Sequence, residues 1–135
     1  MAEGKIHLKI ITTSKQIFED DVDAIYTQGE NGSFGILYNH TPFMSALKIG
    51  VTKVVKDGVA TFFTTMGGAF QVKNNDAIIL TPEAEVGSDI DVLRAKEAKE
   101  RAEARLASQQ EGLDFDRAQV ALAKAIARIS AAEKM

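Results

Sequence analysis

The sequence contains no cysteine, only two prolines, and no apolar run near the roughly 20 residues that a membrane-spanning helix needs. Without cysteine there is neither a disulfide framework nor a thiolate metal site, which fits a reducing compartment. No charged-then-apolar leader opens the chain, so we expect a protein that is neither secreted nor membrane-spanning. The net charge of -3 argues against bulk attraction to nucleic acid.

Arginine is absent from the first 93 residues, and the composition changes near residue 87. Nine of the ten glycines, both prolines and eight of the nine aromatic residues lie in residues 1–87, whereas all five arginines and twelve alanines lie in residues 88–135. The first segment carries seven lysines against ten acidic residues, and the second carries nine basic against nine acidic residues. We therefore predict two differently built domains, 1–87 and 88–135.

The first segment shows the two-residue apolar period of β-strands. Ile6, Leu8 and Ile10 alternate with polar residues, and KDGV at 56–59 is typical of a hairpin turn. Around that turn we expect one shared face made of Val51, Val55, Val59, Thr61 and Phe63. Further turn signals in GENGSFG, MGG and KNNDA, spaced by about eight to twelve residues, predict an all-β sandwich of roughly eight to ten short strands.

The second segment shows the period of an α-helix. Ser88 is expected to be an N-cap, with Asp91 completing a capping box. The first helix has the apolar stripe Ala95, Ala98, Ala102 and Leu106, and a second helix beginning near Asp114 has the stripe Phe115, Ala118, Leu122, Ala125, Ile126 and Ile129. QQEGLD, containing Gly112, separates them, so we predict an antiparallel α-helical hairpin after the sandwich. Its seam is mostly alanine and buries little apolar area, which favours a weakly held, switchable hairpin.

Each predicted helix carries a basic stripe. The spacing is seven then four residues in both, with Arg94, Arg101 and Arg105 on the first helix and Arg117, Lys124 and Arg128 on the second. Two interpretations stay open. The stripes are solvated faces supported by neighbouring charges worth a few tenths of a kcal/mol, or the arginine forks bind phosphate or carboxylate groups.

Four motifs stand in order along the whole chain: GILYNHTPF at 35–43, GGAFQV at 67–72, DIDVLRAKEAKERAEARL at 89–106 and DFDRAQVALAKAIARI at 114–129. Together they closely resemble the epsilon subunit of bacterial F-type ATP synthases. The resemblance implies a non-catalytic subunit of the rotating central stalk of a proton- or sodium-translocating ATP synthase. It places the protein at the cytoplasmic face of the bacterial membrane, as a peripheral subunit without direct membrane insertion.

The same resemblance assigns partners to the two domains. Residues 1–87 are expected to bind the gamma subunit and the ring of c subunits. Residues 88–135 are expected to extend toward the catalytic alpha and beta subunits and inhibit ATP hydrolysis, with Arg117, Lys124 and Arg128 as inhibitory contacts. The family's GILPGHxP loop reads GILYNHTP here, so Tyr38, Asn39 and His40 are the implied rotor contacts. An ordinary loop histidine is the alternative for His40.

Some bacterial members of this family bind ATP on the folded hairpin through a motif of the form Ile or Leu, Asp, any, any, Arg, Ala. IDVLRA matches that motif here, and the resemblance implies an ATP site formed by Glu85, Ile90, Asp91, Arg94, Ala95, Arg101, Lys124 and Arg128. At Lys124 the chain departs from ATP-binding relatives, which carry arginine; lysine keeps the charge but loses the planar fork. ATP is thus the expected regulatory ligand, with or without magnesium. A helix cap is the alternative role for Asp91.

No enzyme, catalytic residue or metal site is predicted. The sequence has no GxxxxGK phosphate loop, no cluster of histidines and carboxylates, and only two histidines to serve as general bases. The alternative function is an adaptor or chaperone-like module whose sandwich and hairpin bind a protein outside any motor. RNA binding by the basic helices is a less well supported hypothesis. Glu97, Glu100 and Glu103 lie between the basic residues, and no aromatic residues are placed beside them to stack on bases. Gly67 and Gly68 are expected to allow close backbone approach.

Overall fold

The structure is a computed structural model and describes residues 4–108, 112 and 114–134. Eight strands precede two helices, as predicted for a β-sandwich followed by a helical hairpin. The strands are β1 (Ile6–Ile11), β2 (Gln16–Val22), β3 (Ala24–Gly29), β4 (Gly32–Leu37), β5 (Phe43–Lys56), β6 (Val59–Lys73), β7 (Asp76–Leu80) and β8 (Ala84–Val86). The helices are α1 (Val92–Ser108) and α2 (Phe115–Glu133), and a short 3₁₀ turn, Gly87–Asp89, precedes α1.

The strands are joined in the order β2-β1-β7-β6-β5-β3-β4, and β8 pairs with β6. Only the β1–β7 pair is parallel among the described strand pairs. Strands β5 and β6 have 14 and 15 residues, so the prediction of short strands is wrong for these two. They pair along almost their whole length, while β7 and β8 pair with successive parts of β6. The long β5–β6 hairpin therefore lies at the centre of the strand order, with β7 and β8 on the β6 side and β3 on the β5 side.

Three of the predicted turns are confirmed by backbone geometry. Asp57 and Gly58 have positive φ values of 50° and 79° between β5 and β6. Asn74 and Asn75 do the same between β6 and β7, with φ values of 52° and 62°. The two-residue turn within GENGSFG joins β3 to β4. Asparagine, aspartate and glycine tolerate this left-handed conformation, so the β5–β6 and β6–β7 turns are local properties of the sequence.

The predicted face around the β5–β6 turn is wrong. Lys56 pairs with Val59 across that turn, so odd-numbered residues of β5 lie opposite even-numbered residues of β6. The five predicted residues are all odd-numbered and cannot share one face: Val51, Val55, Val59, Thr61 and Phe63. Instead Thr52 and Val54, both buried, lie opposite Phe63 and Thr61. Sequence periodicity alone does not reveal this change of face, because it arises from the pairing register.

MGG is not a turn, because it lies inside β6. Gly67 and Gly68 have φ values of 83° and 106° without interrupting the pairing register with β5. A Cβ atom on Gly68 would lie 1.9 Å from the Leu80 carbonyl oxygen. The prediction of close backbone approach is therefore confirmed for Gly68, whereas a Cβ on Gly67 would lie 3.7 Å from the Leu47 carbonyl oxygen, an ordinary contact.

The apolar core of the sandwich is one cluster of buried side chains. Ile6, Leu8 and Ile10 are fully buried, as their alternation predicts, and they pack in one cluster with residues such as Phe70. A line of buried threonine hydroxyls crosses the interior: Thr27 Oγ1 lies 2.7 Å from Thr52 Oγ1, which lies 3.2 Å from Thr65 Oγ1. These buried polar groups therefore satisfy one another.

Helix α1 begins at a different cap from the one predicted. The Arg94 backbone N–H donates to Asp91 Oδ1 at 3.0 Å, and the Ala95 N–H donates to the Asp91 carbonyl oxygen. Asp91 is therefore the N-cap, whereas Ser88 lies in the preceding 3₁₀ turn. The prediction of Ser88 as N-cap is wrong, because the short turn delays the start of the helix by about one turn.

Helix α2 begins as predicted, with Asp114 Oδ1 accepting from the Arg117 backbone N–H at 3.0 Å. Its predicted stripe is only partly correct, because Phe115 and Ile126 are 52% and 47% exposed. The buried residues of α2 are all alanines: Ala118, Ala125, Ala127 and Ala131. Ala125 and Ala127 lie on nearly opposite sides, about 200° apart at 3.6 residues per turn. Two opposite faces are buried because α2 contacts α1 as well as β5 and β6.

The two helices lie antiparallel, since the first half of α1 borders the second half of α2. Lys99 shares a groove with Ile126 and Glu133, and Arg101 shares a cleft with Arg128. The predicted α1 stripe is sound, with Ala95 and Ala102 buried and the other two members half-buried. Gly112 has a φ of 82° in the connection, and residues 109–111 and 113 of QQEGLD lie outside the described residues.

Candidate functional site

A cleft of about 430 Å³ lies where β8, the start of α1 and the second half of α2 meet. Seven of the eight residues predicted for an ATP site line it: Glu85, Ile90, Asp91, Arg94, Ala95, Arg101 and Arg128. Lys124 is not among the lining residues; it is half-buried, one helical turn before Arg128. Asp89 and Ala98 also line the cleft and were not predicted. The fold thus gathers residues up to 43 positions apart.

Local helix geometry explains the α1 side of the cleft. Residues three, four and seven positions apart share a helix face, so Arg94, Ala98 and Arg101 project toward the same region. The small alanine between the two arginines leaves room for a ligand. Ala98 could have been predicted from this spacing, and Asp89 from its place beside the capping residue, Asp91. No comparable spacing in the sequence indicates that β8 would lie against the two helices.

The β8 and α2 sides are joined by an ion-pair cluster. Arg128 Nε lies 2.9 Å from Glu85 Oε1, and Arg128 Nη2 lies 3.2 Å from Glu83 Oε2. The Arg128 side chain is 27% exposed, and those of Glu83 and Glu85 are 57% and 41% exposed. Sequence reasoning missed Glu83, because only the fold brings it near α2. These contacts hold the second helix against the sandwich.

Charge in the cleft is balanced but unevenly engaged. Its three guanidinium groups belong to Arg94, Arg101 and Arg128, and its three carboxylates to Glu85, Asp89 and Asp91. One Asp91 oxygen caps α1 and Glu85 pairs with Arg128, whereas Arg94 and Arg101 are exposed and have no ion-pair partner in the part of the chain that the structure describes. Guanidinium groups bind phosphate and carboxylate oxygens in pairs. The arrangement can therefore hold a polyanion.

The implied rotor loop lies between β4 and β5. Tyr38 is exposed, and the Asn39 backbone N–H donates to Asn75 Oδ1 at 2.7 Å. Asn39 has a φ of 63°, a left-handed conformation that asparagine tolerates better than most residues. His40 is half-buried, with Nδ1 2.7 Å from the Thr41 carbonyl oxygen and its ring packed edge-on against Phe43. Its contacts are those of a structural loop residue, and the rotor role remains a prediction.

The three implied inhibitory residues are not equally accessible in the folded hairpin. Arg117 is exposed near the start of α2, Lys124 is half-buried, and Arg128 is engaged by two glutamates. The hairpin in this pose therefore does not present them as one free basic surface. Across the described residues, no helix is long and apolar enough to cross a membrane, and no group of three or more potential metal ligands is found.

Comparison with known proteins gives the same family at every level. The ATP synthase delta/epsilon chain beta-sandwich domain matches residues 5–87, and the long alpha-helix domain matches residues 88–133. The chain is 44% identical to the ATP synthase epsilon chain of Syntrophobacter fumaroxidans over 134 residues, covering 99% of each chain. It is 42% identical to that of Syntrophomonas wolfei, covering 99% of this chain and 98% of the relative.

The fold is also similar to that of a chain in the Euglena gracilis mitochondrial ATP synthase, in a structure of OSCP, F1 and the c-ring. The TM-score is 0.84 at 24% identity, covering 97% of this chain and 83% of the other. Because the family models and the curated relatives match over nearly the whole chain, the adaptor alternative, which requires a protein unrelated to a motor, is wrong. The chain is a non-catalytic subunit rather than an enzyme in its own right, and it belongs to the ATP synthase delta/epsilon chain family, as its motifs predicted.

Proposed function

We propose that this chain is a regulatory rotor subunit of the central stalk, at the cytoplasmic face of a bacterial membrane. Residues 1–87 bind the gamma subunit and the c ring, and residues 88–135 inhibit ATP hydrolysis when they extend to the alpha and beta subunits. Family membership over both domains supports this proposal, as do relatives named ATP synthase epsilon chain that match over nearly their whole length.

The hairpin is proposed to sense ATP, and one observation carries this part of the proposal. The cleft takes its lining from β8, α1 and α2 together, so it exists only while the hairpin is folded on the sandwich. A ligand that binds only this state stabilises it by RT ln(1 + [L]/Kd), about 2.7 kcal/mol at a hundredfold excess over Kd. Plentiful ATP would therefore keep the hairpin folded and relieve the inhibition of ATP hydrolysis. Scarce ATP would let the hairpin extend and inhibit hydrolysis.

Each of the eight residues predicted for the ATP site has a proposed part in holding ATP. Arg94, Arg101 and Arg128 contact the phosphates, because the guanidinium fork matches phosphate oxygens. Lys124 adds a positive charge one turn away from Arg128. Glu85 and Asp91 orient the adenine or ribose end or a neighbouring arginine, since carboxylates and phosphates repel unless a cation or hydrogen bond intervenes. Ile90 and Ala95 supply apolar surface.

Calorimetric titration of the isolated chain with ATP, with and without magnesium, tests the site. We expect Arg94→Ala to weaken binding about tenfold or more, because it removes charge-assisted hydrogen bonds worth roughly 1.5–3 kcal/mol. Arg105→Ala is the matched control, since Arg105 is an exposed arginine of the same helix and is not among the cleft-lining residues. No binding up to millimolar ATP, or equal effects of the two substitutions, would contradict the ATP site and leave the rotor proposal standing.

A further inference from the structure

Arg128 is shared between two carboxylates, of which only one belongs to the cleft. Glu85 lines the cleft and holds Nε, whereas Glu83 is not among the cleft-lining residues and holds Nη2. The Nε and Nη2 atoms together form the edge of a guanidinium that binds an oxyanion in a bidentate manner. Both positions on this edge of Arg128 are therefore engaged by protein carboxylates in this structure.

The Glu83 carboxylate projects from a fixed backbone. The Glu83 carbonyl oxygen accepts from the Met66 backbone N–H at 3.2 Å and from Thr81 Oγ1 at 3.1 Å. Met66 lies in β6 and Thr81 directly follows β7, so the sandwich holds the Glu83 backbone in place if the Arg128 guanidinium turns toward the cleft. A phosphate that takes the Nη2 position must break the Glu83 contact.

We propose that Glu83 is a positioning residue that competes with ATP phosphate for Arg128 and thereby sets the affinity of the sensor; this inference rests on the proposed function. Without ATP, Glu83 holds α2 on the sandwich through Arg128. With ATP, the phosphate replaces Glu83 at Nη2, and the cost of breaking that ion pair is subtracted from binding. The competition therefore raises the ATP concentration needed to fill the cleft of the folded hairpin, while the Glu83 contact favours the folded hairpin at low ATP.

The test is calorimetric titration of the full-length chain with ATP, using the native sequence, Glu83→Gln and Glu30→Gln. Glu30 is an exposed glutamate at the β3–β4 turn, so its substitution removes the same charge far from the cleft. We expect Glu83→Gln to tighten ATP binding by roughly twofold to fivefold, the range for an ion pair of this exposure. Glu30→Gln should leave the affinity within error of the native value.

A second measurement, thermal unfolding without ATP, separates competition from other effects. Because Glu83 also holds the hairpin, Glu83→Gln should lower the unfolding temperature while tightening ATP binding. General damage to the fold would instead lower both the unfolding temperature and the ATP affinity. Native-like or weaker binding by Glu83→Gln would overturn the inference, as would tighter binding without any loss of unliganded stability, which would indicate simple charge repulsion. If the native chain does not bind ATP, the ATP-sensor proposal itself fails, and the inference fails with it.

Discussion

At the scale of single residues, His7 joins the edge strand β2 to its neighbour β1. His7 Nδ1 lies 2.7 Å from Asp21 Oδ1, and Nε2 lies 2.7 Å from Glu19 Oε2. The hydrogen bond to Asp21, then that to Glu19, raises the pKa of His7 above its ordinary 6.5. The bond to His7 is the main cause that lowers the pKa of Glu19. Lys9, 3.8 Å from Glu19, Asp76, opposite His7 on β7, and Lys73, which lines the same surface cavity as His7, are the nearby charged groups.

The sign of the pH dependence follows from these shifts. A group whose pKa is raised in the folded state contributes stability that is fully present below its unfolded pKa and is lost as the pH rises through the folded pKa. We therefore expect His7→Gln to lower the urea midpoint clearly at pH 6 and much less at pH 9. On the acid side, the contribution of Glu19 should be lost as the pH falls below the ordinary glutamate value of 4.5.

Urea unfolding followed by circular dichroism at both pH values checks this prediction. His40→Gln is the control, because the contacts of the His40 ring are with the Thr41 carbonyl oxygen and Phe43 rather than a carboxylate. Equal losses of stability at pH 6 and pH 9 for His7→Gln would show that the His7 bridge does not depend on its charge.

At the scale of elements, the bend in β6 decides how the sandwich closes. Strand β6 pairs first with β8 and then with β7, and Gly67 and Gly68 lie between these two pairings. Their positive φ values let the strand turn without losing its register with β5. Met66, just before the bend, donates its backbone N–H to Thr81 Oγ1 at 3.0 Å. The segment that links β7 to β8 is thus fixed to the bend.

Substitution of Gly68 by alanine should be severe. Its Cβ would collide with the Leu80 carbonyl oxygen, and its φ of 106° is strained for any other residue, so we expect a loss of about 2–4 kcal/mol in the free energy of unfolding. Gly58→Ala is the matched control: its φ is 79°, but nothing lies within 4 Å of the added atom. That change should cost only about 1–2 kcal/mol. Similar losses in urea unfolding would show that the close contact at Leu80 is unimportant.

At the scale of the whole molecule, the hairpin is held on the sandwich through α2. Helix α2 contacts α1, β5 and β6, and its buried residues are alanines. Alanine buries little apolar area, so each turn contributes little hydrophobic free energy. Arg128 adds exposed ion pairs, which contribute modestly. This construction supports a hairpin that leaves the sandwich without unfolding it.

Removal of residues 88–135 tests the proposed division of roles. The remaining sandwich should assemble with gamma and the c ring and support ATP synthesis, while ATP hydrolysis by the assembled enzyme should rise. Substitution of Arg117, Lys124 and Arg128 by alanine should reproduce part of that rise in ATP hydrolysis. The reason is that the extended basic hairpin is proposed to contact acidic surface on the alpha and beta subunits. Added salt should weaken inhibition if these contacts are exposed. Unchanged hydrolysis after deletion would remove the inhibitory role, and failure of 1–87 to assemble would contradict the division.

The sequence by itself determined the features that depend on near neighbours. The β-to-α change near residue 87, the Asp57–Gly58 and Asn74–Asn75 turns, and the cap at Asp114 follow from residue type and local spacing. They could be predicted because backbone preferences and short-range hydrogen bonds act within a few residues. The list of possible ATP contacts came from family resemblance, since spacing alone left the basic stripes open to a solvated role.

Only the tertiary structure decided the features that join distant segments. The pairing register across the β5–β6 turn determines that Thr52 and Val54 are buried. Contacts with α1 on one side and with β5 and β6 on the other bury opposite faces of α2. Glu83 meets Arg128 across 45 residues of sequence. No local pattern encodes such contacts, because each depends on how complete elements pack, and the packing free energy is shared among many residues far apart in the chain.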